Sequence, residues 1–493
     1  MQSEHHLHPL SLLFSLGQVA RGFLLPAVLL LIFGRGEGFE VWLPLFAVPA
    51  LAFALARYLS YRYRFDPDEL VVREGILNRK ERHVPYRHIH SIDTSRTVVH
   101  RLLGVSTVSV QTASGAAPEA VMSVLSTDAV EGMRRRVFAG READEPAADA
   151  DRSHGRGPAT AEQPVFSASP TELLRHGIIS NRGMVALAAI VGLAVQAEIL
   201  PTEERLRELA ETIPGVEAWS GPPPLMVIAG GVVLILALLR LLSMAWSLVQ
   251  FYGFRLTRRG DELRTRYGLL TQRTITIPRH RVQILLVEST PLHRLLGRVS
   301  VRARTAGALS EKAAAAGQDW LAPVLPSTRQ DDLLTEVQPE LTPADSRWRS
   351  LHPRAVRRLG RIFLLPWLLP AVLLAGLLWP WGAVALVPAA LLPFVIARRW
   401  VAHTGYALAD TAVWFRSGWI RRTLRVVRFS KIQSVTLVES PFDRRHGMAS
   451  VQVDTANAGA RGAAIRIPYL NRDIAEHVAD RIGFEAAATT FRW

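Results

Sequence analysis

Apolar runs long enough to cross a membrane alternate along this chain with segments of period two, and the alternation occurs three times. A spanning helix needs about 20 mostly apolar residues, and such stretches come in pairs. In the first pair, Gly22–Phe33, extended by Leu10–Ala20, is followed by Val41–Ala56, which Arg57 stops. In the second, Gly183–Ala197 is followed by Leu225–Val249, interrupted only by Arg240, late enough to reach the headgroups. The third, Ile362–Trp379 and Trp381–Ala397, is joined by little more than Pro380, with tryptophan at the turn where an interfacial belt would place it. Three transmembrane hairpins are expected, over 10–57, 178–251 and 355–400.

The segments behind the hairpins are copies of one another. Gly75–Thr112, Gly268–Thr305 and Gly418–Thr455 align without a gap. Gly75, Gly268 and Gly418 each stand 29 residues before Gly104, Gly297 and Gly447, which stand 8 before Thr112, Thr305 and Thr455. Arg101, Arg294 and Arg444 precede the second glycine by three. Fixed self-similarity of this kind marks a structural repeat. Val108 with Val110, Val301 with Ala303 and Val451 with Val453 alternate with polar neighbours, as strands with one buried face do. The glycines suit turns at positive φ or close backbone approaches. Asp128 with Glu131, Ser327 with Gln330, and Asp473 with Glu476 have capping-box spacing, and Ile474, Val478 and Ile482 follow at helical intervals. The fold class is therefore an α+β membrane protein: three repeats of a two-helix transmembrane hairpin and a small antiparallel β-sandwich or barrel with a C-terminal capping helix. The β domains fall at 58–139, 252–340 and 401–486. Residues 140–164, polar with mixed charge, Pro and Gly, read as a flexible linker, and the Ala-rich Leu309–Ala316 as a loop.

Composition narrows the function. Only 20% of the 493 residues are charged, below the usual ~25%, and 49% are hydrophobic. The absence of cysteine excludes disulfides, thiolate zinc sites, iron–sulfur clusters and a cysteine nucleophile. The net charge is +15, and only Lys80, Lys312 and Lys431 are lysines. The arginines stand at the membrane exits: Arg57, Arg62 and Arg64; Arg255, Arg258 and Arg259; Arg398 and Arg399; and, at the third entrance, Arg354, Arg357, Arg358 and Arg361. The loop 198–224 instead carries six acids against Arg205 and Arg207. The positive-inside rule then gives six spans with both termini and all three domains cytosolic. His5, His6 and His8 replace the basic n-region of a cleaved signal peptide.

Catalytic motifs are missing: there is no HExxH, Walker loop, GxSxG or paired-carboxylate signature. His83, His88 and His90, with His100 nearby, form a candidate metal cluster, but the other copies put Arg281 with Gln283 and Lys431 with Gln433 at its last two positions, which favours ordinary surface histidines. Asp331 and Asp332 suit the first turn of a helix better than a metal. Neither a cofactor nor a metal is expected. Nucleic acid is disfavoured, because the arginines lack interleaved stacking aromatics. A transporter, or an enzyme acting on lipids or peptides in a cavity between hairpins, is the alternative; against it, Arg21, Arg240 and Glu198 lie near span ends. The remaining chemistry is basic surface beside an anionic leaflet. The candidate lipid contacts are Arg258, Arg259, Arg264, Arg266 and Arg273 in copy two, and Arg421, Arg422, Arg425, Arg428 and Lys431 in copy three.

The IPxxxxQ segment (Ile277, Pro278, Gln283), the RLLG turn and the closing VxVxTA strand resemble the second family of bacterial pleckstrin-homology-like domains. The organisation over nearly the whole chain is similar to the multi-PH membrane proteins of that family. Copy one departs with His90 for the glutamine, and copy three with Arg428 for the proline. The resemblance implies a PH-like fold in each repeat. It also implies a non-enzymatic protein of a bacterial cytoplasmic membrane, a cytosolic scaffold for membrane lipids and protein partners in envelope maintenance or protection against membrane stress. A second PH-domain membrane protein as partner, and an oligomer, are compatible with it.

Overall fold

The computed structural model describes residues 61–67, 69–74, 79–86, 89–112, 120–126, 162–180, 225–305, 319–341, 348–377, 384, 386–456 and 464–489, with 5, 6, 52, 55, 56, 59, 60, 132 and 133. Structural statements below refer to these residues. In the first module, β1 (His5–His6), β2 (Arg62–Phe65), β3 (Glu69–Glu74) and β4 (Lys80–Pro85) form one antiparallel sheet. They are followed by β5 (Ile89–Thr97), α1 (Val98–Leu102), β6 (Val105–Thr112) and β7 (Ala120–Ser126). The second module comprises β8 (Gln163–Ser167), α2 (Pro170–Ile179), α3 (Leu225–Phe251), β9 (Arg255–Arg259), β10 (Glu262–Tyr267) and β11 (Thr271–Pro278), then β12 (Val282–Ser289), α4 (Pro291–Leu295), β13 (Arg298–Thr305), β14 (Asp319–Pro326) and α5 (Gln330–Val337). The third runs β15 (Arg349–Ser350), α6 (Ala355–Leu377), α7 (Leu386–His403), β16 (Gly405–Leu408), β17 (Ala412–Ser417), β18 (Arg422–Arg428), β19 (Ile432–Val438), α8 (Pro441–Arg444), β20 (Met448–Thr455), β21 (Ile465–Asn471) and α9 (Arg472–Ala488).

The expected alternation is present: Val108, Val110, Val301, Ala303, Val451 and Val453 are fully buried. The domain boundaries differ from the sequence expectation, because each module begins ahead of its apolar segment. β1 pairs with β2, β8 with β9 and β15 with β16, and in modules two and three the described helices are inserted after the first strand. Gln163, inside the expected linker, already belongs to β8. Strand pairing across a long insertion leaves no periodicity to read, since hydrogen bonding ignores sequence distance.

α3, α6 and α7 include helices long and apolar enough to cross a membrane. α6 packs on α7, and a Cβ at Gly360 would come within 2.4 Å of the Phe394 ring, so the absent side chain sets the spacing. α6 starts at Ala355, where the third hairpin was expected to begin and seven residues ahead of its apolar run, and α7 continues to His403, because a hydropathy boundary marks charge and not the end of helical hydrogen bonding. The tip of this pair, nearly all of residues 10–57, and 183–224 fall outside the described residues.

The closing helices also correct two expectations. Ser327–Arg329 is a 3-10 turn, and α5 begins without a side-chain cap; α9 starts after Asn471, again uncapped by a side chain. The buried face of α9 is Ala475, Val478 and Ile482, while Ile474 is 45% exposed. Asp128 and Glu131 lie outside the described residues.

The modules are continuous with one another. One seven-stranded sheet has the order β7-β6-β5-β11-β10-β9-β8 and another the order β14-β13-β12-β18-β17-β16-β15. The second half of each module therefore shares a sheet with the first half of the next. The apolar core follows: Leu285, Val287 and Val301 of module two pack in one cluster with Ala412, Trp414 and Val426 of module three.

Candidate functional site

Arg354, Arg357, Arg358 and Arg361 precede the apolar part of α6 at spacings that place them along one helix face. Together with His446 and Met448 they line a cleft of about 280 Å³ between the start of α6 and the turn after α8. Met448 is buried beneath it. Arg354 donates to the His446 carbonyl at 3.5 Å, and the His446 ring nitrogen Nδ1 lies 2.8 Å from the Phe442 carbonyl, fixing the ring. Arg358 lies 3.5 Å from the Asp443 carboxylate, with its guanidinium 4.9 Å from the centre of the Phe442 ring. One carboxylate thus stands against four guanidinium groups, at the positive end of a helix dipole. Guanidinium forks in this setting match phosphate or carboxylate oxygens. The sequence signal was the arginine spacing, which topology alone also explains.

The turn after the first junction glycine lies against a helix end. Leu269 N–H donates to the Val249 carbonyl in α3 at 2.9 Å, so the Gly268 turn sits at that end of α3. Around this turn and its repeat counterpart, Leu102 is 85% and Leu295 81% exposed, with Leu270 and Ile420 also exposed.

The predicted lipid-contact cations separate into distinct environments. Arg259, Arg266, Arg273 and Arg422 are exposed. Arg258 donates to Gln163 and Arg264 to Glu162, both at 2.8 Å, fastening the segment that enters β8. Arg421 reaches Glu288 of the preceding module at 2.6 Å, and Arg428 reaches Glu340 at 3.1 Å and the Arg279 carbonyl at 3.4 Å. Arg425 is half-buried, and burial followed by the nearby Arg304 pushes its guanidinium down. Lys431 is buried like Arg281 at the same repeat position, and burial, with Arg428 beside it, brings its ammonium down to about 8. Arg421 and Arg428 therefore join modules, and Arg425 and Lys431 are not open cationic surface.

The repeat anchors are structural. Gly268 and Gly418 have φ of +113° and +94°, and a Cβ there would lie 2.1 and 2.0 Å from the carbonyl oxygens of Thr271 and Arg421. Gly104, Gly297 and Gly447 adopt the left-handed conformation that ends α1, α4 and α8. Arg101 and Arg294 donate across the two junctions to the carbonyls of Leu269 and Ile420, whereas the Arg444 side chain is exposed. Thr305 is half-buried and Thr455 buried; Thr112 ends β6; Gly75 lies outside the described residues. Gln283 is buried at the second junction, while Gln433 is exposed.

One repeated feature escaped the sequence reading. Thr97, Thr290 and Ser440 cap α1, α4 and α8, each accepting from the backbone N–H three residues on, at His100, His293 and Asp443. The His293 ring bonds Thr290 Oγ1 and Ser300 Oγ, both at 2.9 Å. Constant spacing in three copies could have found it. His83 lies 2.9 Å from Glu69; His88 and the side chain of His90 are outside the described residues, and among those described no cluster of three or more His, Asp or Glu could hold a metal.

The model of the family described as "Bacterial PH domain" matches residues 11–141, 174–329 and 361–485. The chain is 22% identical over 482 residues to "UPF0699 transmembrane protein YdbT" of Bacillus subtilis (strain 168), an alignment that covers 93% of this chain and 94% of the relative. No solved structure matches significantly. Three family matches on three sheet-forming modules, with helices fit to cross a membrane, make the chain a transmembrane protein that belongs to the bacterial PH domain family.

Proposed function

We propose that the chain is a non-enzymatic platform at the cytosolic face of a bacterial cytoplasmic membrane, anchored by six spans, that engages anionic lipid headgroups and protein partners. The observation that carries the reading is the cleft lined by Arg354, Arg357, Arg358 and Arg361 at the start of the apolar helix α6. On this reading the guanidinium groups stand at headgroup depth, where α6 enters hydrocarbon, and each basic residue near an anionic surface contributes about 1 kcal/mol. The exposed Leu102 and Leu295 suit the same interface, with apolar tips toward acyl chains. Such a platform fits envelope maintenance or protection against membrane stress.

The test uses the full chain, because β15 and the inserted helices belong to the third module and a fragment starting at 401 would lack a strand. Purified protein is exposed to phosphatidylglycerol or phosphatidylcholine, and retained lipid is read by native mass spectrometry. Preference for the anionic lipid, reduced roughly tenfold by the double variant Arg357→Glu/Arg361→Glu, is expected. Equal retention of both lipids by the unaltered chain, or no change in the variant at physiological salt, would remove the headgroup reading.

A further inference from the structure

The two junctions between modules are the same interface used twice. At the first, β5 pairs antiparallel with β11, with Thr94 opposite Thr274 and Arg96 opposite Gln272. At the second, β12 pairs with β18, with Val287 opposite Leu424 and Ser289 opposite Arg422. Under the gapless repeat alignment these pairs occupy identical positions, so the register is conserved as well as the partners. The clamping arginine is conserved too, with its acceptor shifted by one residue between the copies: Arg101 reaches the carbonyl of Leu269, and Arg294 that of Ile420.

Each end of the array leaves one half of this interface unused among the described residues. β19 stands at the repeat position of β5 and β12, yet it ends its sheet, bonded only to β20. Where β12 is buried over Val282–Glu288, β19 exposes Gln433, Ser434, Thr436 and Leu437. Arg444, the counterpart of the two clamps, is exposed beside it. At the other end, β4 stands at the position of β11 and β18 and is bonded only to β3, with Lys80–His83 exposed. Uncovered strand edges usually carry charge that blocks pairing. β4 carries such charge, as do its counterparts β11 and β18, which pair nonetheless through Arg273, Arg422 and Arg425, whereas Ile432–Val438 has none.

We infer that the β19 edge, clamped by Arg444, receives the β4 edge of a second copy of this chain, continuing across two molecules the junction that joins modules within one. Both halves of the interface are present on the same polypeptide, and the conserved register specifies their pairing: Leu437 opposite Glu81, and Glu439 opposite Arg79, a complementary charge pair. Because β4 and β19 are different surfaces, the contact is head-to-tail, and repetition gives a closed ring or an extended row in the plane of the membrane. The inference rests on the platform reading only in supplying its protein partner; the lipid assay above reads headgroups alone, so the two fail separately.

The cysteine-free chain permits a direct test. Full-length Glu81→Cys and Leu437→Cys are made on differently tagged copies, co-expressed in the bacterial membrane and oxidised; both positions are exposed, so folding is preserved. Cross-strand neighbours lie within disulfide reach. A mixed-tag dimer is expected, at roughly ten times the yield of Glu81→Cys with Val435→Cys, which is out of register by two residues. Arg444→Ala in the Leu437→Cys copy is expected to lower that yield roughly tenfold, the loss of a charge-assisted hydrogen bond. Absence of the mixed dimer, equal yield from the shifted pair, or capture by Leu437→Cys of a different protein instead would overturn the inference. An Arg444→Ala yield equal to the parent would overturn the clamp.

Discussion

Arg294 donates through Nη1 to the carbonyl oxygen of Ile420, 2.9 Å away and one repeat further along the chain. The residue is conserved among the three copies, but its partner is not in its own copy. Repeat identity therefore encodes a contact between modules as well as a fold within each.

Arg294→Ala should loosen the second junction and lower the stability of the purified chain by about 1 kcal/mol, the usual size of a single hydrogen bond. Arg444→Ala, measured on dilute monomer, should leave it unchanged. Thermal unfolding in detergent checks both; equal losses would show that the arginine acts within its own module.

Two alanine substitutions at repeat glycines should differ in size. Gly297→Ala meets open space and carries only the left-handed backbone penalty, roughly 1 kcal/mol. Gly418→Ala brings a Cβ to 2.0 Å from the Arg421 carbonyl oxygen, so backbone must move, with a loss of about 3 kcal/mol or more. Limited proteolysis of the third module should rise sharply for the second variant alone.

Acid should weaken the second module through His293. Burial pushes this imidazole down to about 4, with Arg302 and Arg421 adding to the effect and Glu288 opposing it. The unfolded chain, with a histidine near 6.5, binds more protons between those values, so stability is complete above about 6.5 and falls as pH drops toward 4, by at most roughly 3 kcal/mol. His293→Asn should flatten that part of the melting-temperature profile. An unchanged profile would mean that another group carries it; His100, pushed down by burial and Arg96, is the first to substitute next.

Single cysteines should report orientation. Phe484→Cys on α9 is expected to resist a membrane-impermeant thiol reagent in intact cells and to react in inverted vesicles, while Gly382→Cys, in the sequence between α6 and α7, should show the opposite pattern. Labelling of Phe484→Cys from outside would reverse the topology.

The cleft was only partly legible in sequence. Arg354, Arg357, Arg358 and Arg361 were visible as a basic flank, and their spacing as one helix face, but His446 and Met448 come to them from 85 or more positions away. Conversely, Arg421 and Arg428 looked like free surface charge, and only their distances to Glu288 and Glu340 assign them to the seams between modules.

What the amino-acid sequence determined is what short-range pattern can encode: three copies in constant register, strands of period two with Val451 and Val453 inward, apolar helices, and positive-φ glycines at fixed spacing. Each depends on residues within one element or turn, where sterics and hydropathy act locally. The tertiary structure alone decided that the helices of modules two and three are inserted after a first strand, that adjacent modules share a sheet, and that, among the described residues, one interface is left half-open at each end. Backbone hydrogen bonds between strands carry no residue code, so the partner of an edge is set by which surfaces folding brings together.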